Sequence, residues 1–175
     1  MEKLSSLFGT RPAVPFMQWF VLDRDGVTER RIGPPREKTA QQAASKPDGA
    51  FYIGEQIRLD VLPPFPGYFQ LWNLGSSGNP PKRLFENRWI DGEFTTPTLI
   101  VSEDSKTTAE TGLNEIVVGI ITRQPIEIAP EQMGASRSSI STRGFQSVEE
   151  VKRVVLSDLP ESDWAWCMLE TEVKR

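Results

Sequence analysis

The side chains of this chain that could do chemistry are its carboxylates, its aromatics and a single cysteine, because histidine is absent from all 175 residues. That absence excludes a Ser-His-Asp or Cys-His nucleophile and any histidine-ligated zinc or haem. Cys167 is the only cysteine, so no internal disulfide forms and no thiolate cluster can hold a metal. The stretch from Trp164 to Leu169 reads as a buried strand, with Cys167 as a small core hydrophobe. A nucleophilic role would need an activating base, and the usual one is missing. Asp23 and Asp25 precede Gly26 in a D-x-D-G turn that matches the opening of a calcium loop, but the later ligands and the closing Glu are missing. An Asx turn is the expected reading. Glu86, Asp91 and Glu93 lie near Trp89. Two of them would have to converge for glycoside hydrolysis, and solvated loop charges are expected instead. The glycine-rich stretch Gly75 to Gly78 runs into Asn79-Pro80-Pro81 and lacks the Gly-Lys-Ser/Thr of a phosphate loop, so it reads as a hairpin turn. The expectation is a protein with no catalytic residues, no metal site and no cofactor: not an enzyme.

The aromatics are the better lead. Tyr68, Trp72 and Trp89 are placed to share one region of a sheet, where exposed rings could anchor a peptide or stack on a sugar. The core competes for them, most of all for Trp72. Trp89 follows Asn87 and Arg88 close to a turn, and Trp with Arg is the pairing enriched at interface hot spots. The candidate partner-binding set is therefore Tyr68, Trp72, Arg88 and Trp89. Two long polar segments, 34–48 and 128–146, are further candidates that could fold on a partner.

The elements that must position these residues are mostly strands. Phe16 to Leu22 and Val27 to Ile32 read as a hairpin around Asp23–Gly26, stopped by Pro34 and Pro35. Phe51 to Ile53 and Gln56 to Leu62 follow; Ile57, Leu59 and Val61 alternate with Gln56, Arg58 and Asp60, which gives one buried and one wet face. Gly67 to Leu74 is expected to face that run across the proline-rich turn at 63–67. Large side chains on both of its faces predict a central or covered strand. Lys82 to Glu86 pairs back, Asp91-Gly92 marks a turn, and Thr95 to Val101 is a strand interrupted by Pro97. Ser102 to Thr111 reads as a polar loop. Leu113 to Thr122 is nearly continuous in β-branched residues, the composition of a strand buried on both faces. Ser147 and Glu150 match a capping box, and Val148, Val151, Val155 and Leu159 share one helical face, so Val148–Leu159 is expected to be an amphipathic helix. Trp164 to Val173 returns to the sheet as a last strand. The expected fold is mainly β: an antiparallel β-sandwich with one C-terminal amphipathic helix.

The length fits one domain, expected over 13–175 with a flexible arm at 1–12, and it is enough to bury a core. The net charge of −4, with no run of basic residues, argues against a nucleic-acid partner. No stretch approaches the ~20 apolar residues of a membrane span, and Ala13 to Leu22 reads as a strand rather than a signal peptide. A cytoplasmic protein is expected.

The part from 50 to 127 resembles a bacterial domain-of-unknown-function family, number 4384 in the usual series. Gly54, Glu55, Ile57, Leu59 and Val61 match its Gly-Glu-x-Ile-x-Leu-x-Val strand. Gly67, Tyr68, Phe69, Leu71, Trp72 and Asn73 match its Gly-Tyr-aromatic-x-Leu-aromatic-Asn strand. Leu84, Phe85, Glu86 and Asn87 match a Leu-Phe-Pro-Asn segment with the proline replaced. Gly112 to Ile126 is similar to its later glycine-plus-β-branched strand ending in proline. The resemblance implies a non-catalytic accessory domain, of a kind often fused to caspase-like peptidases, kinases or other signalling modules. It implies a protein–protein interaction module that partners such an effector. The competing expectation is a carbohydrate- or small-ligand-binding sandwich that uses its exposed aromatics.

Overall fold

The computed structural model describes residues 14–32, 50–74, 81–103, 105–128, 156 and 159–175. Within them the chain is mainly β, arranged in two five-stranded sheets. The strands are β1 (Met17–Leu22), β2 (Thr28–Ile32), β3 (Ala50–Tyr52), β4 (Gln56–Val61), β5 (Gly67–Asn73), β6 (Lys82–Ile90), β7 (Phe94–Thr95), β8 (Leu99–Ile100), β9 (Glu115–Thr122) and β10 (Trp164–Lys174). The first sheet runs β2-β1-β4, with β7 and β8 both paired to β4; the second runs β3-β10-β9-β5-β6.

The β1–β2 hairpin forms as expected, and its turn accounts for the D-x-D-G pattern. Asp23 Oδ1 accepts from the backbone N–H of Asp25 at 2.9 Å and of Val27 at 2.8 Å, while Gly26 takes φ +78°. The Asp23 carboxylate thus shapes an Asx turn.

The expected hairpin across 63–67 does not form. β4 lies in the first sheet between β1 and the β7/β8 pair, and β5 lies in the second between β9 and β6. Residues 62–66 instead carry the chain from one sheet to the other. Pro63, Pro64 and Pro66 have no N–H to donate across a tight turn, which suits a crossing between layers. The all-antiparallel expectation also needs correction, since β3 pairs with β10 in parallel, Ala50 to Tyr52 against Glu172 to Lys174. Residues 102–111 are more than a loop. They include a one-turn helix α1 (Thr108–Thr111), where Thr107 and Glu110 form a capping box and Gly112 closes the end at φ +65°.

The expected arm 1–12, the segment 34–48 and nearly all of 128–146 lie outside the described residues, as does the helix expected over Val148–Leu159 apart from Leu156 and Leu159. The helical structure described near the C-terminus is a single 3-10 turn, Glu161–Asp163, before β10. No helix among the described residues is long and apolar enough to cross a membrane.

Strand parity builds the core. Met17, Trp19 and Val21 of β1 and Ile57, Leu59 and Val61 of β4 pack with Phe69, Leu71, Val117, Ile121, Cys167 and Leu169 of the second sheet in one buried cluster. The sheets approach so closely that a Cβ on Gly119 would collide with the Met17 side chain. The opposite face of the second sheet is buried too: Trp72, Val118, Ile120, Trp164 and Trp166 pack with Leu74, Ile128 and Leu156. Burial on both faces is what the unbroken β-branched run of β9 requires. On the first sheet, Phe20 turns away from the core and sits between two guanidinium groups, Arg31 at 5.3 Å and Arg58 at 5.6 Å from its ring centre.

Candidate functional site

β6 is nine residues long and forms the outer edge of the second sheet. It runs on through Arg88 and Trp89, which therefore lie on a strand and not in a loop. Trp89 stands opposite Tyr68 of β5, and the two rings meet edge to face at 5.1 Å with an interplanar angle of 69°. Trp89 keeps 52% of its surface exposed, and Tyr68 is half-buried beneath it.

The other two candidate residues go elsewhere. Arg88 is adjacent to Trp89, so the pleat sends it to the opposite face. Its guanidinium lies 4.3 Å from the centre of the Phe94 ring and 5.9 Å from that of Phe85. Trp72 is 0% exposed and offers no surface. Its indole N–H donates to Gln70 Oε1 at 3.2 Å, and Arg83 covers its ring at 5.5 Å. Of the four, only Tyr68 and Trp89 make a shared surface feature.

A polar clasp that sequence reasoning missed borders this pair. Gln70 Nε2 donates to Asn87 Oδ1 at 3.0 Å and to the Ile126 carbonyl at 2.7 Å. Asn87 Nδ2 donates to the same carbonyl at 2.8 Å, and the Ile126 N–H donates back to Asn87 Oδ1 at 3.2 Å. Asn87 holds φ +40°, a left-handed conformation that asparagine tolerates better than most residues. The clasp fastens the irregular segment following β9 to β5 and β6. The signal was present in sequence as a buried-parity glutamine, Gln70, between Phe69 and Leu71.

Glu86 binds Arg83 at 2.7 Å, and Asp91 and Glu93 are exposed in and just after the turn that follows β6. Among the described residues no three His, Cys, Asp or Glu side chains gather to hold a metal ion.

Cys167 is buried, and that burial pushes its thiol above the ordinary value, more than the backbone hydrogen bonds at Phe16, Met17 and Met168 pull it down. The thiol therefore stays protonated in the folded chain at pH values where the unfolded chain ionises. By linkage, the unfolded state then binds fewer protons, so stability falls as pH rises above the unfolded value. The expected result is no reaction of Cys167 with an aromatic disulfide reagent at pH 8 under native conditions and one equivalent after denaturation. Rapid native labelling would show that β10 separates readily from its neighbours.

No protein-family model matches the chain, and neither the search of curated proteins nor the search of solved structures returned a match.

Proposed function

We propose that this chain is a two-layer β-sandwich that works as a non-catalytic protein–protein interaction module, and that its docking surface is centred on Trp89. The observation that carries this reading is a tryptophan half exposed on an edge strand, backed by Tyr68 and held in place by the clasp beside it. A large apolar ring at the surface gains by burial against a partner, and tryptophan is enriched among residues that dominate binding energy. The outer edge of β6 has no strand partner among the described residues, so a partner segment can also add main-chain hydrogen bonds there. The charged side chains of β6, Lys82, Arg83, Glu86 and Arg88, keep this edge from pairing indiscriminately.

The partner class follows from the resemblance of residues 50–127 to accessory domains: a caspase-like peptidase, a kinase or a comparable effector in a bacterial signalling or defence-type system, operating in the cytoplasm.

The test compares wild type with Trp89→Ala in pull-downs and then by calorimetry against the partner recovered. The expected loss is about 2 kcal/mol of binding, with the fold kept. Equal capture by both proteins overturns the docking surface. A saturable, Trp89-dependent fluorescence change with a glycan instead of a protein would reassign the site to carbohydrate.

A further inference from the structure

Between the two sheets, where β5 ends and β9 begins, there is a cavity of about 220 Å³. The rings of Trp19 and Phe51, in edge contact at 5.6 Å, form part of its wall with the aliphatic side chains of Ile57, Leu84 and Ile100. This is below the roughly 300–1,000 Å³ of drug-sized sites, so it suits a molecule of about ten non-hydrogen atoms.

Among the described residues the wall has one charged side chain, Glu115. Parity explains how it enters: Glu115 shares the inward face of β9 with Val117 and Ile121. It is only 9% exposed, and its Oε2 is buried without a hydrogen-bond partner. Among the described residues no Lys or Arg lines the cavity to offset the carboxylate. A buried carboxylate without a counter-charge is costly, and the cost is removed by a cation that brings its own donors.

We infer that this cavity binds a small primary amine with an aromatic or apolar body. The ammonium donates to Glu115, and the body lies against Trp19 and Phe51. An ammonium carries donors and no acceptor, which matches the unpartnered carboxylate oxygen of Glu115, and the aromatic wall attracts a cation as well as an apolar ring. A neutral alcohol of the same shape brings one donor and no charge. The two-residue strand β8 forms the rim, where Ile100 is 67% exposed and marks the way in.

The experiment titrates the ¹⁵N-labelled full chain with phenethylamine and, separately, with 2-phenylethanol, which has the same body. The amine is expected to bind saturably and at least about tenfold more tightly than the alcohol, and to shift the assigned indole N–H signal of Trp19. Glu115→Gln should remove the preference for the amine. Ile100→Lys, at an exposed position, should weaken the amine by a similar factor while the fold is kept. Trp89→Ala should change neither titration, which separates this site from the docking surface. The inference is overturned if the wild-type chain binds the amine without saturation, if the alcohol binds as well or better, or if folded Glu115→Gln keeps the preference. Should Glu115→Gln fail to fold, the amine–alcohol comparison on the wild type and the Ile100→Lys variant decide the matter.

Discussion

Trp72→Ala should destabilise the chain by about 4 kcal/mol, a large share of the stability of an ordinary domain, while Trp89→Ala, which loses only the edge-to-face contact with Tyr68, should cost about 1 kcal/mol or less. Both residues are tryptophans of neighbouring strands in one sheet, and only their burial separates them. Removing Trp72 opens a hole between Arg83 above and Val118 and Ile120 beside it, and it strips Gln70 Oε1 of its donor. Gln70 is itself buried and holds the clasp to Ile126, so the damage spreads to the strap over the sheet. Denaturant titration followed by circular dichroism measures both variants. Equal losses would mean that Trp89 is a structural residue and that the docking surface is misplaced.

Gly67→Ala should cost about 3 kcal/mol, at the upper end for overpacking. A Cβ at Gly67 would lie 2.5 Å from the carbonyl oxygen of Thr122 and 3.0 Å from Ile121 Cγ1. Backbone on a central strand cannot swing aside as a flexible side-chain tip can. β5 would have to move away from β9 along the ladder that joins Tyr68 to Thr122 and Asn73 to Val117. Gly92→Ala is the control: nothing lies within 4 Å of its Cβ position, and no stability change is expected. The same denaturant titration reads both. A mild effect at Gly67 would show that the β5–β9 pairing is easily spread.

Most strands were legible because period-2 alternation and turn residues are local signals. β1, β5, β9 and β10 fall where the pattern predicts them, and the doubly buried character of β9 follows from Ile116, Val117, Val118, Ile120 and Ile121 alone. Partner choice was not legible. β4 and β5 have the same alternation whether they form a hairpin or lie in opposite sheets, and the decision is made by β1, β7 and β8 competing for the edges of β4. The parallel addition of β3 to β10 joins residues over a hundred positions apart, beyond the reach of any local pattern. At the candidate surface, ending β6 at Glu86 placed Arg88 and Trp89 in a loop. Once the strand extends to Ile90, parity alone sends them to opposite faces. The Tyr68–Trp89 contact then depends on a register that two irregularities in the β5–β6 ladder adjust. Glu115 was readable by the same parity, as a carboxylate in step with Val117 and Ile121.

The place of β10 has a consequence for how the chain is made. It is the last of the described strands to leave the ribosome, yet it lies inside the second sheet, between β3 and β9. Until Lys174 has emerged, the nascent chain carries β9 with one open edge of β-branched residues, and β3 lacks the strand partner it has among the described residues. Such edges invite pairing with neighbouring chains, and strands so distant in sequence come together slowly. Translation that stalls before Trp164 therefore leaves an adhesive half-sheet, and prompt arrival of β10 closes it.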